Sequence, residues 1–507
     1  ADGFTYELFN DVGIDASGNS WIYVGANAPN KVVSAGTVPS VGAGYEQVVF
    51  NAASNIDWGA YSTNSQDIAE QINRIKFRAV GDGYQLVMGD LDFDAEDLGK
   101  GTILVGGWSD GQQHRMIGTR DLRMIFGGYD CTITGGTTGD EGGLACVITG
   151  SHHSEILGNG THNSIFGGSY NICTDGDYNS IFGGTLNTIS TSGGSRCTIA
   201  GGSNNSIVGE ITRSTISGGS DNTIDSTWST IGGGRYNQCS ASWSVVAGGT
   251  NNTITGEWST IGGGRQNNIT SSRGTIGGGN LNQVVGVKAT ISGGHSNEAN
   301  GDNSTVSGGV DNNANAISST VCGGNNNTIG SYGATITGGE FNTVEAGFDY
   351  SRVHGAFAKP NMQGEDVIAN GRFSQNGDAQ GSRATARRQT ADATPTALRA
   401  NGGNSVVSIP INSTSTFSAL ITARDNSSED AAGFKVEGVV SCGATSESLK
   451  LVGTPTIATL GADVGASTWD VTIDVSSANQ ELAIKCQGEV GKTINWVSTL
   501  NLATTKV

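Results

Sequence analysis

Proline is nearly absent from this chain, at 6 residues in 507, beside 80 glycines. Collagen needs Gly at every third position and abundant Pro, so the glycine here serves another purpose. Charged residues are scarce at 14%, and only 36% of residues are hydrophobic, too few for a dense helical-bundle core. Bases are outnumbered 27 to 46, and the formal charge of −19 argues against sequence-independent binding to nucleic acid or to an anionic membrane. No apolar run is long enough to cross a bilayer, so no membrane insertion is expected. Residues 1–7 hold neither a basic region nor an apolar stretch, and no secretory leader is expected there. The 8 cysteines are dispersed without a CxxC pair. They read as buried free thiols of a protein assembled in a reducing cytosol.

What is present is a repeat. A Gly-Gly pair at 167 recurs at 183, 201, 218, 233, 248, 263, 278, 293, 308, 323 and 338. The spacings run 16, 18, 17 and 15, then hold at 15. An Asn stands four residues after the first Gly every time, from Asn171 to Asn342. This is one structural unit copied twelve times. Two positions in the unit stay apolar, as in Ile216 and Ile224 or Ile261 and Ile269, alternately eight and seven residues apart. That separation is too wide for helical turns, and the Ile, Val and Thr content favours strand. Two short strands per coil, with turns at Gly-Gly and at the Ser/Asp/Gly stretch, predict a parallel β-solenoid. Coils stacked at about 4.8 Å would make a rod of roughly 60 Å. Two small apolar anchors per coil are a thin core, so several chains are expected to pack laterally, and three would close symmetrically.

The stretch Ser-Thr-Ile-Gly-Gly-Gly-Arg-Gln-Asn-Asn-Ile (259–269) resembles the head repeats of trimeric autotransporter adhesins. That resemblance, over about 165–345, implies a left-handed parallel β-roll with three chains side by side. Residues 19–50, with an aromatic strand and a Ser-Ala-Gly-Thr-Val-Pro turn, look like the small β-domain that precedes the solenoid of bacteriophage tailspikes. Gly377-Asp-Ala-Gln, Thr390-Ala-Asp-Ala-Thr-Pro-Thr and Ala432-Gly-Phe-Lys-Val-Glu-Gly resemble the C-terminal region of phage tail spike and fibre proteins.

The expected fold class is all-β: a trimeric parallel β-solenoid flanked by a small N-terminal β-domain and a C-terminal β-sandwich. The expected divisions are an N-terminal β attachment domain at 1–63 and a neck at 64–102 with a capping helix from Asn64 or Ser65 to Phe77. The solenoid shaft follows at 103–356, then a linker or wrapping segment at 357–404 and the sandwich at 405–507. Strands in the last region are expected at 406–411, 416–423, 433–440, 468–475, 482–486 and 493–500.

For function, the sharpest feature is a tryptophan ladder: Trp228, Trp243 and Trp258 stand 15 apart, followed at the same position by Arg273 and Lys288. Sugar rings stack on indole, and the cations beyond would meet an acidic glycan. Alternatively the column packs against a neighbouring chain, since interfaces favour aromatics. Arg235 and Arg265 flank Thr250 in a second column. The Asn ladder reads as structural, through stacked amides.

Other constellations are weaker. Asp90-Leu-Asp-Phe-Asp-Ala-Glu-Asp opens like a calcium loop but has Ala95 and Gly101 where Gly and an acid are needed, so it reads as a solvated acidic loop. His152, His153, Glu155 and His162 cluster, yet adjacent residues on a strand face opposite ways, so no metal is expected. A glycosidase would need two carboxylates about 5–10 Å apart; Asp221 with Asp225, or Glu340 with Glu345, could approach that separation across coils, but nothing distinguishes them from surface acids. No nucleophile elbow, P-loop or dinucleotide motif is present, and no cofactor is expected.

These resemblances imply a homotrimeric tail spike or tail fibre of a bacteriophage virion that binds a host surface polysaccharide and contacts virion tail or baseplate proteins. It would be assembled in the host cytoplasm and exposed outside the cell. Whether it is an enzyme stays open: a polysaccharide depolymerase, hydrolase or lyase, is the first alternative. A trimeric bacterial surface adhesin is the second.

Overall fold

The computed structural model describes residues 145–192, 194–400 and 404–507, the segments 103–105, 114–117 and 123–135, and five strands before residue 90. It divides into two compact units, 1–239 and 240–507. The fold is all-β and its centre is a parallel β-solenoid of the expected coil length.

In the first unit Val12–Ile14, Ser20–Val24 and Glu46–Phe50 form a three-stranded antiparallel sheet. Of the expected helix, residues 64–74 lie outside the described residues. Its last three residues are strand instead, within Ile75–Val80, which pairs antiparallel with Gly83–Met88. Ile75-Lys-Phe-Arg alternates apolar and polar residues, and Gly81-Asp-Gly supplies turn residues, so the hairpin competes successfully with the helix. The acidic loop at 90–97 also lies outside the described residues. Gly83–Met88 then pairs in parallel with Ile103–Val105, and that strand with Met124–Tyr129.

From there each coil adds two strands, one to each of two parallel stacks. One stack in this unit runs through Val147–His152, Ser164–Phe166 and on to Thr230–Ile231. The other runs from Arg115–Ile117 to Gln238–Cys239. The second unit repeats the scheme from Val245–Val246 to Arg352–Ala356 and from Thr253–Ile254 to Thr343–Val344.

Strands in the regular coils are two residues long, usually a Thr facing outward and an Ile facing inward, as in Thr260–Ile261. The two inward residues of each coil, Ile or Val except at Cys173, Cys239, Ala299 and Ala314, are fully buried, and so are all twelve asparagines of the repeat. Asn267 shows how the amide is used. Its Nδ2 donates to Asn252 Oδ1 at 3.1 Å, to Gly263 O at 2.9 Å and to Gly279 O at 3.0 Å. Its Oδ1 accepts from the backbone N–H and the Nδ2 of Asn282, at 3.0 and 3.1 Å. A buried amide is costly unless satisfied, and here the same bonds tie each coil to the one below and the one above. The second glycine of the pair is obligatory beside it. Gly264 has φ +89, and a Cβ there would collide with the carbonyl oxygen of Gly279.

After the last coil, the stretch expected as a linker or wrapping segment holds regular strands among its described residues. Asp366–Asn370 continues the parallel stack from Arg352–Ala356, then Ala379–Thr390 pairs antiparallel with it. Ala379–Thr390, Ile494–Lys506, Ser413–Asp425, Ala431–Cys442 and Thr456–Ala462 follow in order as one antiparallel sheet. Thr396–Ala397, Glu481–Gln487 and Asp470–Ser476 form a second, three-stranded sheet. Side chains from both sheets share one apolar core that includes Phe434, Trp469 and Trp496. Residues 406–411, expected as a strand, make only an isolated bridge from Ser408 to Glu481, and Pro410 denies a ladder donor there. Their apolar members Val407 and Ile409 are buried in the same core.

Candidate functional site

Every coil must reverse direction twice in a few residues, and it does so through left-handed residues. One such corner lies just before the ladder Asn, as at Gln266 (φ +54); the other lies five residues ahead of each glycine pair. The tryptophan ladder occupies the second corner: Trp228, Trp243, Trp258, Arg273 and Lys288 have φ between 55 and 63. A non-Gly residue in this conformation costs about 1–2 kcal/mol, so side chains there must repay it by packing on neighbouring coils. The backbone pins the column as well. Trp228 N donates to Thr212 O at 2.9 Å, Trp258 N to Ser242 O at 3.0 Å, Arg273 N to Glu257 O at 2.8 Å and Lys288 N to Ser272 O at 3.1 Å.

In the second unit Trp243 and Trp258 lie face to face, with ring centroids 4.5 Å apart and planes 7° from parallel. They are 44% and 52% exposed, so their edges meet solvent while their facing surfaces cover one another. Arg273 and Lys288 follow on the next two coils, both exposed. The column therefore presents indole edges and cations to solvent, and the face between the two rings is already occupied. In the first unit Trp228 carries the Arg213 guanidinium over its ring at 4.2 Å.

That contact exposes a signal passed over in the sequence. Counted back from each glycine pair, the same corner in the irregular coils holds His162, Tyr178, Arg196 and Arg213. The unequal spacings 16, 18 and 17 hide the register unless the glycines are used as the origin. His162 and Tyr178 stack at 4.5 Å and 11°, and the Arg196 guanidinium lies 5.5 Å from the Tyr178 ring centroid.

The second column is less uniform. Arg235 donates to the Tyr236 hydroxyl at 2.9 Å, covers that ring at 4.5 Å and lies 3.7 Å from Asp221. Arg265 stands between Thr250 and Asn280 in a run of parallel bridges and is exposed. Further stacks unforeseen from the sequence are Phe166 with Phe182 and Phe341 with Phe357, the latter capped by Arg372 at 4.1 Å.

The histidines need a correction. His152 and His153 do not face opposite ways: their rings meet edge to face at 4.3 Å. His153 is left-handed (φ +48), so the alternation of an extended strand stops before it. Its ring stacks on Tyr170 at 4.9 Å and pairs with Asp130 at 2.8 Å, while His152 stacks on Tyr129 at 5.0 Å. His162 belongs to the other corner. Among the described residues no group of three or more His, Cys, Asp or Glu is placed to hold a metal ion.

One carboxylate of each candidate pair is engaged. Asp221 accepts from the Asn204 amide at 2.8 Å, and that bond, helped by Arg235, holds its carboxyl below the usual range. An ionised Asp221 is unsuited to protonating a leaving group. Glu345 is paired with Lys359 at 2.6 Å.

No family model and no curated protein matches this sequence. Among solved structures the chain is similar to the tailspike protein gp49 from Acinetobacter baumannii bacteriophage Fri1, a capsular polysaccharide depolymerase. Identity is 9% and the TM-score 0.23, over 97% of this chain and 94% of that one. It is also similar to the Acinetobacter baumannii phage AM24 tailspike protein, at 12% identity and TM-score 0.20, over 81% and 76%. A third is the tailspike protein of Acinetobacter phage vB_ApiP_P1, at 8% identity and TM-score 0.23, over 80% and 82%.

Proposed function

We propose that this chain is a phage tail spike, three copies of which associate side by side and bind a polysaccharide on the host cell surface. The observation that carries the reading is the division of labour within a coil. Inward positions are spent on self-support, through paired Ile or Val and the Asn ladder. The corners are free to vary, and at one of them they hold aromatic and cationic side chains coil after coil. Rings with exposed edges and guanidiniums are side chains that meet hydroxyl-rich ligands well, by apolar contact and by multiple N–H donors. The sequence resemblances to tailspikes at 19–50 and 370–507 support the same reading. On this reading the protein belongs to the virion tail and has other tail proteins as partners.

The test is to incubate the purified chain with capsular and lipopolysaccharide preparations from a bacterial panel and to size the polymer by chromatography. Retention without shortening is the expected result. Discrete shorter oligosaccharides would make the chain a depolymerase, with Asp225 and Glu340 as the first residues to replace. If no preparation is bound or cut, the glycan partner is lost. Trp243→Ala separates the two uses of the ladder. Weaker glycan retention at unchanged oligomeric mass assigns the column to the ligand; unchanged retention with a weakened trimer assigns it to the contact between chains.

A further inference from the structure

The corner column of the first unit carries an arrangement that support of the coil alone does not require. Tyr178, Arg196, Arg213 and Trp228 occupy four successive coils, all left-handed and all exposed. The two guanidiniums turn away from each other: Arg196 lies against Tyr178 at 5.5 Å and Arg213 against Trp228 at 4.2 Å. Each rests one face on a ring, which leaves the planar edge with its N–H donors to solvent. No carboxylate of the described residues stands within ion-pair distance of either one. The chain has 46 acids for 27 bases, so this is not for want of acids. The two arginines sit one coil apart, at about the 4.8 Å spacing of a strand ladder, where like charges repel. A neutral side chain would cover Tyr178 and Trp228 without that repulsion.

We propose that this column binds an anionic polysaccharide, one carrying carboxylate groups on its sugar rings, laid along the direction in which the coils stack. The inference rests on the receptor-binding reading and names its ligand class. Arg196 and Arg213 take sugar carboxylates through paired N–H donors, and the ring edges of Tyr178 and Trp228 pack beside the sugars between them. A formal charge of −19 repels a polyanion from the rest of the surface, so retention of one reports a local site.

The experiment uses the full chain with hyaluronate, alginate and polysialate as carboxylated probes and dextran as the neutral one, at about 0.15 M salt. At least one carboxylated polymer is expected to be retained and dextran not. The double variant R196Q/R213Q is expected to lose about tenfold or more in affinity with an unchanged melting temperature. R196K/R213K keeps the charge without the planar fork and is expected to fall between the two. Arg424→Gln, on the antiparallel sheet, is expected to bind as the parent does. Equal retention by parent and R196Q/R213Q overturns the proposal, as does dextran held as well as the anionic polymers. If none of the carboxylated probes is retained while a neutral bacterial polysaccharide is, the proposal falls and the receptor reading stands. If nothing in either panel is retained, both fall.

Discussion

Two regions of the second unit solve the same problem in opposite ways. Between residues 245 and 344 the strands are two residues long and the interior is half polar. Between 379 and 506 the strands reach 13 residues and the interior is apolar, around Phe434, Trp469 and Trp496. A two-residue strand cannot hold its own register by backbone bonds alone. In the coils register comes from a buried amide that bonds to the Gly of its own coil and to the Asn and Gly of adjoining coils. In the sheets it comes from side chains far apart in sequence, such as Trp496 Nε1 donating to Thr390 Oγ1 at 2.9 Å across 106 residues. Coil stability is therefore a sum of neighbour terms, whereas the sheets stand or fall together.

The sharpest way to break the comparison is at glycine. Gly264→Ala adds a Cβ against the Gly279 carbonyl in a left-handed backbone and is expected to cost about 4 kcal/mol or more. Gly461→Ala, in a sheet strand with open space around the new atom, is expected to stay within about 1 kcal/mol. Denaturant midpoints compare the two, and equal losses would remove the distinction.

Trp496→Ala comes next, at about 3–5 kcal/mol for an aromatic lost from a packed core. Hydrogen exchange is expected to quicken throughout 379–506 while amides of 253–329 keep their protection. A uniform loss would mean that coils and sheets unfold as one.

Asn267→Ala is expected to cost about 2–4 kcal/mol, because Gly263 and Gly279 lose a donor and Asn282 loses an acceptor. Asn501→Ala, exposed on the sheet, is expected to change stability by no more than about 0.5 kcal/mol.

A smaller, pH-dependent effect sits where the last coil meets the sheets. Glu365 is 1% exposed; its Oε2 accepts backbone N–H bonds from Asn361 and Met362, while burial pushes its carboxyl pKa up. A folded pKa above the unfolded value stabilises at low pH, and that contribution is lost as pH rises through the folded pKa. Glu365→Gln is therefore expected to melt higher than the parent at pH 7.5, with the gap closing towards pH 4. No difference at either pH would mean that this carboxyl titrates normally.

The smallest effect is chemical. Seven of the eight cysteines are buried and none forms a disulfide; burial pushes the Cys173 thiol up and that of Cys486 to about 12. Cys322 alone is exposed. One thiol per chain is expected to react with a maleimide in the native protein, and more than one would show that coils open.

Much of the coil was legible because stacking makes each one the environment of the next, so the same residue is demanded at every turn. Gly-Gly and Asn recur for the reason Gly264 and Asn267 show. The ladder tryptophans were legible as a column, but not as a pair whose faces cover each other, since ring orientation depends on χ angles that spacing does not encode. His152 and His153 were misread because a single left-handed residue reverses the facing of its neighbour, and nothing local to the sequence marks it. Residues 357–404 read as a linker or wrapping segment because they hold few bulky side chains. One strand partner of Ala379–Thr390 lies over 100 residues away in Ile494–Lys506, beyond the reach of periodicity.

By itself, then, the sequence determined the solenoid: its period, its inward asparagines and isoleucines and its glycine corners, all set by contacts between adjacent copies of one short pattern. Only the tertiary structure decided what the corners display, with Trp243 closed against Trp258 and Arg196 and Arg213 parted over two rings. Those arrangements depend on which side chain happens to stand one coil away, and on the backbone hand at each corner.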